Sequence, residues 1–276
     1  LTPFFVSLLM KLFYIWWYNI QISLSKNKFM KLQIDRIDAH ALTEFINRVK
    51  LIDSFIYMKI KDGQINSTVY LPQRDAVKHH SIPADKIFQV SEWPDTDKEM
   101  KIAFFEGNKV IEAIKHFDHD AIKGEFEFIE NDEEFVASTL RIFNDELEIT
   151  LSCSEPSLGF KDLSVDQRDA IFARADSNFD FKLDTYSIGK VKNLFSLDKD
   201  ETFGIKSDVA GINVNGKSFN VVLTPDTSGN GKVTVYKKYL NLLDKEEQTV
   251  YVSDSKVVFE SNDSNTLLTI STCQTA

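Results

Sequence analysis

DAHALTEFINRVK (residues 38–50) followed by SFIYMKIKDGQINSTVYLP (residues 54–72) is the stretch whose reading decides the fold. In the first part Leu42, Phe45, Ile46 and Val49 recur at helical spacing, so they share one face, and Asp38 stands where an N-cap is needed. The second part holds two strand-like runs joined at Asp62-Gly63, a pair suited to a tight hairpin turn. A short helix followed by a hairpin is therefore the opening unit. The residues on the outer side of the helix include Asn47, Arg48 and Lys50.

The same unit continues and then recurs. A strand is expected at Lys101 to Phe105 and a second helix at Asn108 to Phe117, with Val110, Ile111, Ile114 and Phe117 inward and Lys109, Lys115 and His116 outward. GEFEFIEND (124–132) and EEFVASTLRIFNDELEITLSC (133–153) read as three strands with turns near Asn131-Asp132 and Asn144-Asp145. From Asp184 to Leu197 another helix places Ile188, Val191 and Phe195 inward and Lys190 and Asn193 outward, and the strands of ETFGIKSDVAGINVNGKSFNVVLT (201–224) follow. Tyr236 to Asp244 reads as the fourth short helix, with Tyr236, Leu240 and Leu243 inward and Lys237, Lys238 and Asn241 outward. QTVYVSDSKVVFESNDSNTLLTIST (248–272) supplies three last strands. Two matching runs of helix, strands, helix, strands imply a duplicated α+β module, with domains over 30–151 and 181–276.

Between them, 152–180 is a connector. Pro156 and Gly159 stand near its start, but Leu158, Phe160, Leu163, Val165, Ile171 and Phe172 are too apolar for a solvated tether, so part of it should pack on the neighbouring strands.

Composition restricts what the module can do. The 276 residues carry 32 Lys plus Arg against 42 Asp plus Glu, a formal charge of -10, which argues against coating nucleic acid with the whole surface. Any contact with DNA must be local, and all four helices put a cation opposite their apolar face. Glu44 and Glu112 share those faces. Cys153 and Cys273 match no metal or redox spacing, so a reduced cytoplasmic protein is expected.

Residues 1–29 stand apart. Residues 1–24 are an apolar run with one Lys and no acid, long enough to be weighed as a membrane anchor or signal. The bias of 1–29 toward Phe, Ile, Lys, Asn, Tyr and Leu is instead what A/T-rich DNA upstream of a gene would encode, with Met30 opening the patterned region. On that reading they are a non-native extension. Removing them takes away three Lys and no acid, so 29 minus 42 leaves -13.

Sequences that suggest catalysis or metal binding each lack a required part. The run from Asp226 to Gly231 resembles the start of a calcium loop, but Lys237 stands where a bidentate Glu is needed. Gly229-Asn-Gly-Lys232 lacks the earlier Gly and the Ser or Thr of a phosphate loop. His79 and His80 are adjacent and point apart in any regular element, and Asp118 and Asp120 interrupt the turn that would bring Glu112, His116 and His119 together. The expectation is a non-enzyme with no cofactor and no metal site.

On these patterns the chain from Met30 to its C-terminus resembles the DNA polymerase sliding clamps, with their PCNA-like fold, and most closely the two-domain clamps of T-even-like phages. The residues carrying the resemblance are Met30-Lys31-Leu32, LIDSFIYMKIKDGQI (51–65), KIAFFEGNKVIEAIKHFDHD (101–120) and FDFKLDTYSIGKVKNLFSL (179–197). The resemblance implies a homotrimer whose six domains close a ring, with the short helices lining the hole and antiparallel sheets outside. It implies that double-stranded DNA is encircled without base reading, by Asn47, Arg48, Lys50, Lys109, Lys115, Lys190, Lys192, Asn193, Lys237 and Lys238. It also implies an ATP-dependent clamp loader and a DNA polymerase as partners, a peptide of the latter binding beside the connector at Leu158, Phe160 and Leu163. A non-enzymatic structural or scaffold protein of a phage is the alternative reading.

Overall fold

A computed structural model describes residues 28–50, 54–117, 122–130, 133–158, 163–197, 199–224 and 229–273. The first half runs β1 (Lys28–Ile37), α1 (Ala39–Lys50), β2 (Ile56–Lys61), β3 (Gln64–Tyr70), β4 (Ala76–Pro83), β5 (Phe88–Gln89), β6 (Glu99–Phe104), α2 (Gly107–Lys115), β7 (Ile122–Glu130), β8 (Glu134–Phe143) and β9 (Glu148–Ser152). A connector helix, α3 (Val165–Phe172), leads to β10 (Phe179–Leu183), α4 (Thr185–Leu197), β11 (Thr202–Asp208), β12 (Gly211–Asn215), β13 (Asn220–Thr224) and β14 (Gly231–Tyr236). A 3-10 helix (Lys237–Leu242), β15 (Gln248–Val252), β16 (Lys256–Ser261) and β17 (Thr266–Ser271) complete the chain. The first strand starts at Lys28, two residues before Met30; the apolar run of 1–24 and the turn at 131–132 lie outside the described residues.

Strand pairing repeats between the halves. In the first, β1 pairs β7, β7 pairs β8, β8 pairs β9, and β2 pairs β3 and β6 while β3 pairs β4. In the second, β10 pairs β15, β15 pairs β16, β16 pairs β17, and β11 pairs β12 and β14 while β12 pairs β13. Every one of these pairs is antiparallel and has its counterpart in the other half. The halves are joined by β17 against β4, also antiparallel, with Leu268 opposite Lys78.

The local causes are those the sequence carries. Asp38 Oδ1 accepts the Ala41 N–H at 2.9 Å, capping α1, and Leu42, Phe45, Ile46 and Val49 are all buried, each side chain contributing about 1.5–3 kcal/mol. Asp62 and Gly63 both take positive φ (50° and 70°), the geometry of a type I′ turn, and so bring β2 and β3 into register. Gly107 lets α2 sit directly on β2: a Cβ there would lie 2.4 Å from Ile56 Cγ1 and 3.1 Å from Ile46 Cγ2. Gly107→Ala is therefore expected to cost about 1–3 kcal/mol in a urea-unfolding measurement, because the packed interior has no room to accept a methyl. An unchanged midpoint would count against this packing.

Alternation along β4 separates two sides of the sheet. Val77 and His79 face the connector: Val77 packs with Phe172 and Val258, and the His79 ring lies 6.1 Å from that of Phe172. Lys78 and His80 face the helices: Lys78 reaches Asp244, and the His80 ring lies 5.1 Å from that of Phe45. The connector was expected to pack in part, and it does so through α3, capped at Ser164 by a reciprocal bond with Gln167. Among the described residues no helix is long and apolar enough to cross a membrane.

Candidate nucleic-acid interface

The four short helices gather on one side. α1 packs on α2, α4 packs on the 3-10 helix, and an open cleft of about 790 Å³ between the two pairs is lined by Asn47, Arg48, Lys50, Lys192 and the loop 243–246. A second cleft of about 570 Å³ is lined by Lys192, Lys199, Tyr236, Lys237, Lys238 and Asn241. Lys192 and Asn241 belong to both, so the two clefts form one surface.

Of the residues expected at such a site, Asn47 and Lys238 line these clefts and are exposed, and Lys109, Lys115, Lys190 and Asn193 are exposed on α2 and α4 outside the cleft linings. Lys109 pairs with Glu106 at 3.1 Å, but both side chains are solvated, so the pair is weak. Lys50 is half-buried, and its Nζ donates to Asn108 Oδ1 at 2.9 Å, linking α1 to α2. Lys192 is half-buried as well; its Nζ donates to the Leu243 carbonyl at 3.0 Å, and desolvation, with Lys245 nearby, lowers its pKa from the usual lysine value. Lys237 is also half-buried.

Arg48 occupies a different role from the one its helical position suggests. Its guanidinium makes a two-pronged bond to Glu246 at 2.7 and 3.0 Å, donates to Thr266 Oγ1 at 3.2 Å and pairs with Glu44 at 2.8 Å. Burial opposes its charge, yet these bonds and the field of Asp244 hold its pKa above the ordinary arginine value. Glu44 is held below the usual carboxylate range, chiefly by the bond from Arg48. The acid on the α1 face is thus neutralised by its own neighbour, and Arg48 ties α1 to the loop before β15 rather than facing solvent.

Beneath it lies Lys78, which is fully buried and meets Asp244 Oδ1 at 2.8 Å. His80 Nδ1 shares a hydrogen bond with Thr266 Oγ1 at 2.9 Å, and His79 Nδ1 shares one with Thr68 Oγ1 at 2.8 Å. Desolvation, with nearby cations, pushes both histidines down to about 4. The adjacent histidines do point to opposite faces.

The fourth helix needs correction. The expected helix over Tyr236 to Asp244 is a 3-10 turn over Lys237–Leu242, with Tyr239, Leu240, Leu242 and Leu243 buried and Tyr236 40% exposed. Tyr236 closes β14, so strand alternation sets its direction, and the 3-10 period then turns Tyr239 inward. Lys199 and Lys245 line the clefts and were not anticipated, because they sit just outside the helical runs.

On the opposite side, α3 and the β4–β17 joint border an open groove of about 500 Å³, lined by Tyr70, Arg74, Val77, Leu163, Ile171 and Thr269 among others. Leu163, one of the three connector residues named for a partner-peptide pocket, lines this groove. Phe160 lies outside the described residues, as does the side chain of Leu158. Tyr70, Val77 and Thr269 come from distant strands, and no local signal marks them.

No protein-family model and no curated protein matches the chain. Solved structures do. The structure described as the C-terminal region of FEN-1 bound to A. fulgidus PCNA is similar at 14% identity and a TM-score of 0.59, over 89% of this chain and 99% of that one. The PCNA2–PCNA3 complex of Sulfolobus tokodaii gives 12% and 0.58, over 88% and 99%. Proliferating cellular nuclear antigen of Entamoeba histolytica gives 11% and 0.59, over 88% and 97%. The chain has the PCNA-like sliding-clamp fold that the resemblance implied, built on the duplicated α+β module expected from the sequence pattern.

Proposed function

We propose that the chain is a DNA polymerase sliding clamp of the two-domain phage type, acting in the host cytoplasm, and that three copies close a ring around duplex DNA. Two domains per chain make six in the ring, and the surface of α1, α2, α4 and the 3-10 helix lines the hole. Lys109, Lys115, Lys190 and Lys238 meet phosphates and no base edge is read, so every register along the duplex is nearly equivalent and the ring slides. An ATP-dependent loader opens the ring, and the connector-side groove takes a peptide of the replicative polymerase.

One observation carries this reading. Because β9 corresponds to β17 and β13 to β4, the joint made inside the chain by β17 and β4 has a counterpart that the chain leaves unmade. Among the described residues β9 pairs only β8 and β13 only β12, so each presents an open edge, and Val222 on β13 is 54% exposed. Joining β9 of one copy to β13 of the next is a head-to-tail contact, which closes into a ring when the rotation permits.

Replacing the half-buried edge residues Leu151 and Leu223 with Glu should dissociate the assembly to single chains while the far-ultraviolet spectrum is retained. Persistence of the assembly would remove β9 and β13 from the interface. The DNA reading is tested by threading the protein over the free end of a linear duplex and then blocking that end. Retention through a high-salt wash only when the end is blocked is the expected result; equal loss with blocked and open ends would favour a scaffold protein with no topological hold.

A further inference from the structure

The joint between the halves is more than strand pairing. In the second half the exit of β17 lies beside the end of β14, where the Cys273 N–H donates to the Thr234 carbonyl at 2.7 Å. The 3-10 helix that follows β14 then reaches across the joint to the turn before β4. There Lys238 Nζ donates to Asp75 Oδ2 at 3.2 Å, and the Tyr239 hydroxyl donates to the same oxygen. The Ser271 N–H donates to the Asp75 carbonyl at 2.8 Å, so strand and helix hold this turn together. Arg74, in the same turn, lies instead over the Tyr70 ring on the groove side.

The open edges carry the two halves of the same contact. The exit of β9 lies beside the end of β6, where the Ser154 N–H donates to the Ala103 carbonyl, again at 2.7 Å. Phe105 and Glu106 lead from β6 into α2, as Tyr236 leads from β14 into the 3-10 helix. Phe105 is 58% exposed, its ring edge-on to that of Phe55 at 5.7 Å. Glu106 is solvated, gives α2 no side-chain cap and holds Lys109 weakly. At the other open edge the turn before β13, the counterpart of the turn carrying Asp75, is closed by the Gly216 N–H on the Phe219 carbonyl at 3.0 Å. It exposes Lys217, and the half-buried Phe219 ring lies 4.7 Å from that of Phe195.

The charges are exchanged between the two joints. Inside the chain the cation is on the helix side and the acid on the turn, as Lys238 and Asp75; at the open edges the acid is on the helix side and the cation on the turn, as Glu106 and Lys217. We propose that the start of α2 in one copy docks on the β12–β13 turn of the next, with Phe105 packing beside Phe219 and Glu106 pairing with Lys217. An exposed aromatic beside a complementary charge pair suits a head-to-tail contact between copies. The exchange of charge also selects the partner edge. A joint of β9 with β4 of another copy would set Glu106 against Asp75, and one of β17 with β13 would set Lys238 against Lys217, so both mistaken pairings are opposed. The inference rests on the ring reading for the presence of a second copy and adds to it a contact outside the strands.

Sedimentation of a dilution series at low salt tests it. Glu106→Lys and Lys217→Glu should each raise the concentration at which half the assembly dissociates by about ten-fold or more, and the two combined should return to within about three-fold of the wild type. The effect of each reversal should shrink as salt rises, whereas Phe105→Ser should weaken association at every salt concentration. Both charged side chains are solvent-facing, so the variants should keep the wild-type unfolding midpoint. If a variant fails to fold, carbodiimide coupling of wild-type protein mixed from 14N and 15N preparations decides: a Glu106–Lys217 bond joining labelled to unlabelled chains supports the contact, and chains coupled only at other pairs overturn it. An assembled wild type whose single reversals dissociate no more readily, or whose double variant is no better than the worse single, overturns the contact and leaves the ring standing. A wild type that stays a single chain at every concentration overturns both.

Discussion

Lys109→Glu, Lys115→Glu and Lys190→Glu combined are expected to lower affinity for duplex DNA by about a thousand-fold or more, since three chains would lose about nine phosphate contacts. Processive synthesis in the presence of the partner polymerase should be lost with it. All three side chains are solvent-facing, on α2 and α4, away from the buried seam. The fold should therefore change little, each substitution staying within about 0.5 kcal/mol in thermal unfolding. The logarithm of affinity plotted against the logarithm of salt concentration should also flatten, because fewer counterions are released on binding. Intact DNA affinity in the folded triple variant would make these lysines ordinary surface.

Asp244→Ala should cost about 3–5 kcal/mol, the loss expected when one partner of a buried ion pair is removed and the other charge is left inside. Lys78 is fully buried and pairs with Asp244 at 2.8 Å, and burial already lowers its pKa from the usual lysine value. Lys78 belongs to the first half and Asp244 to the second, so the loss falls on the joint between them. Lys78→Met combined with Asp244→Leu should recover most of the stability, since apolar packing replaces a buried pair at little or no net cost. Guanidinium unfolding of the two variants checks both statements. A loss below about 1 kcal/mol in Asp244→Ala would mean that Lys78 finds water or another acceptor.

What the sequence reveals of this fold is what depends on neighbours along the chain. The apolar faces of α1 and α2, the Asp38 cap and the Asp62-Gly63 turn are local, and each is found where the periodicity puts it. β4 is hard to read, because Lys78, His79 and His80 at its centre are buried yet polar, and their partners Asp244, Thr68 and Thr266 lie on other strands or loops. Arg48 shows the same limit at the candidate site. On a helical wheel it is an outward cation, but Glu246, 198 residues away, takes its guanidinium. The groove is likewise built mostly from residues that only the β4–β17 pairing brings together. The 3-10 turn escaped because periodicities of 3.0 and 3.6 diverge little over six residues, while the strand before it fixes where Tyr236 points.

The ring is tested most directly by its stoichiometry. Size-exclusion chromatography with in-line light scattering, at micromolar protein, should give a single species of three times the chain mass, made by β9 of each copy on β13 of the next. A folded protein that elutes at the mass of one chain across that concentration range would contradict the ring, and with it the proposal that DNA is held by encirclement.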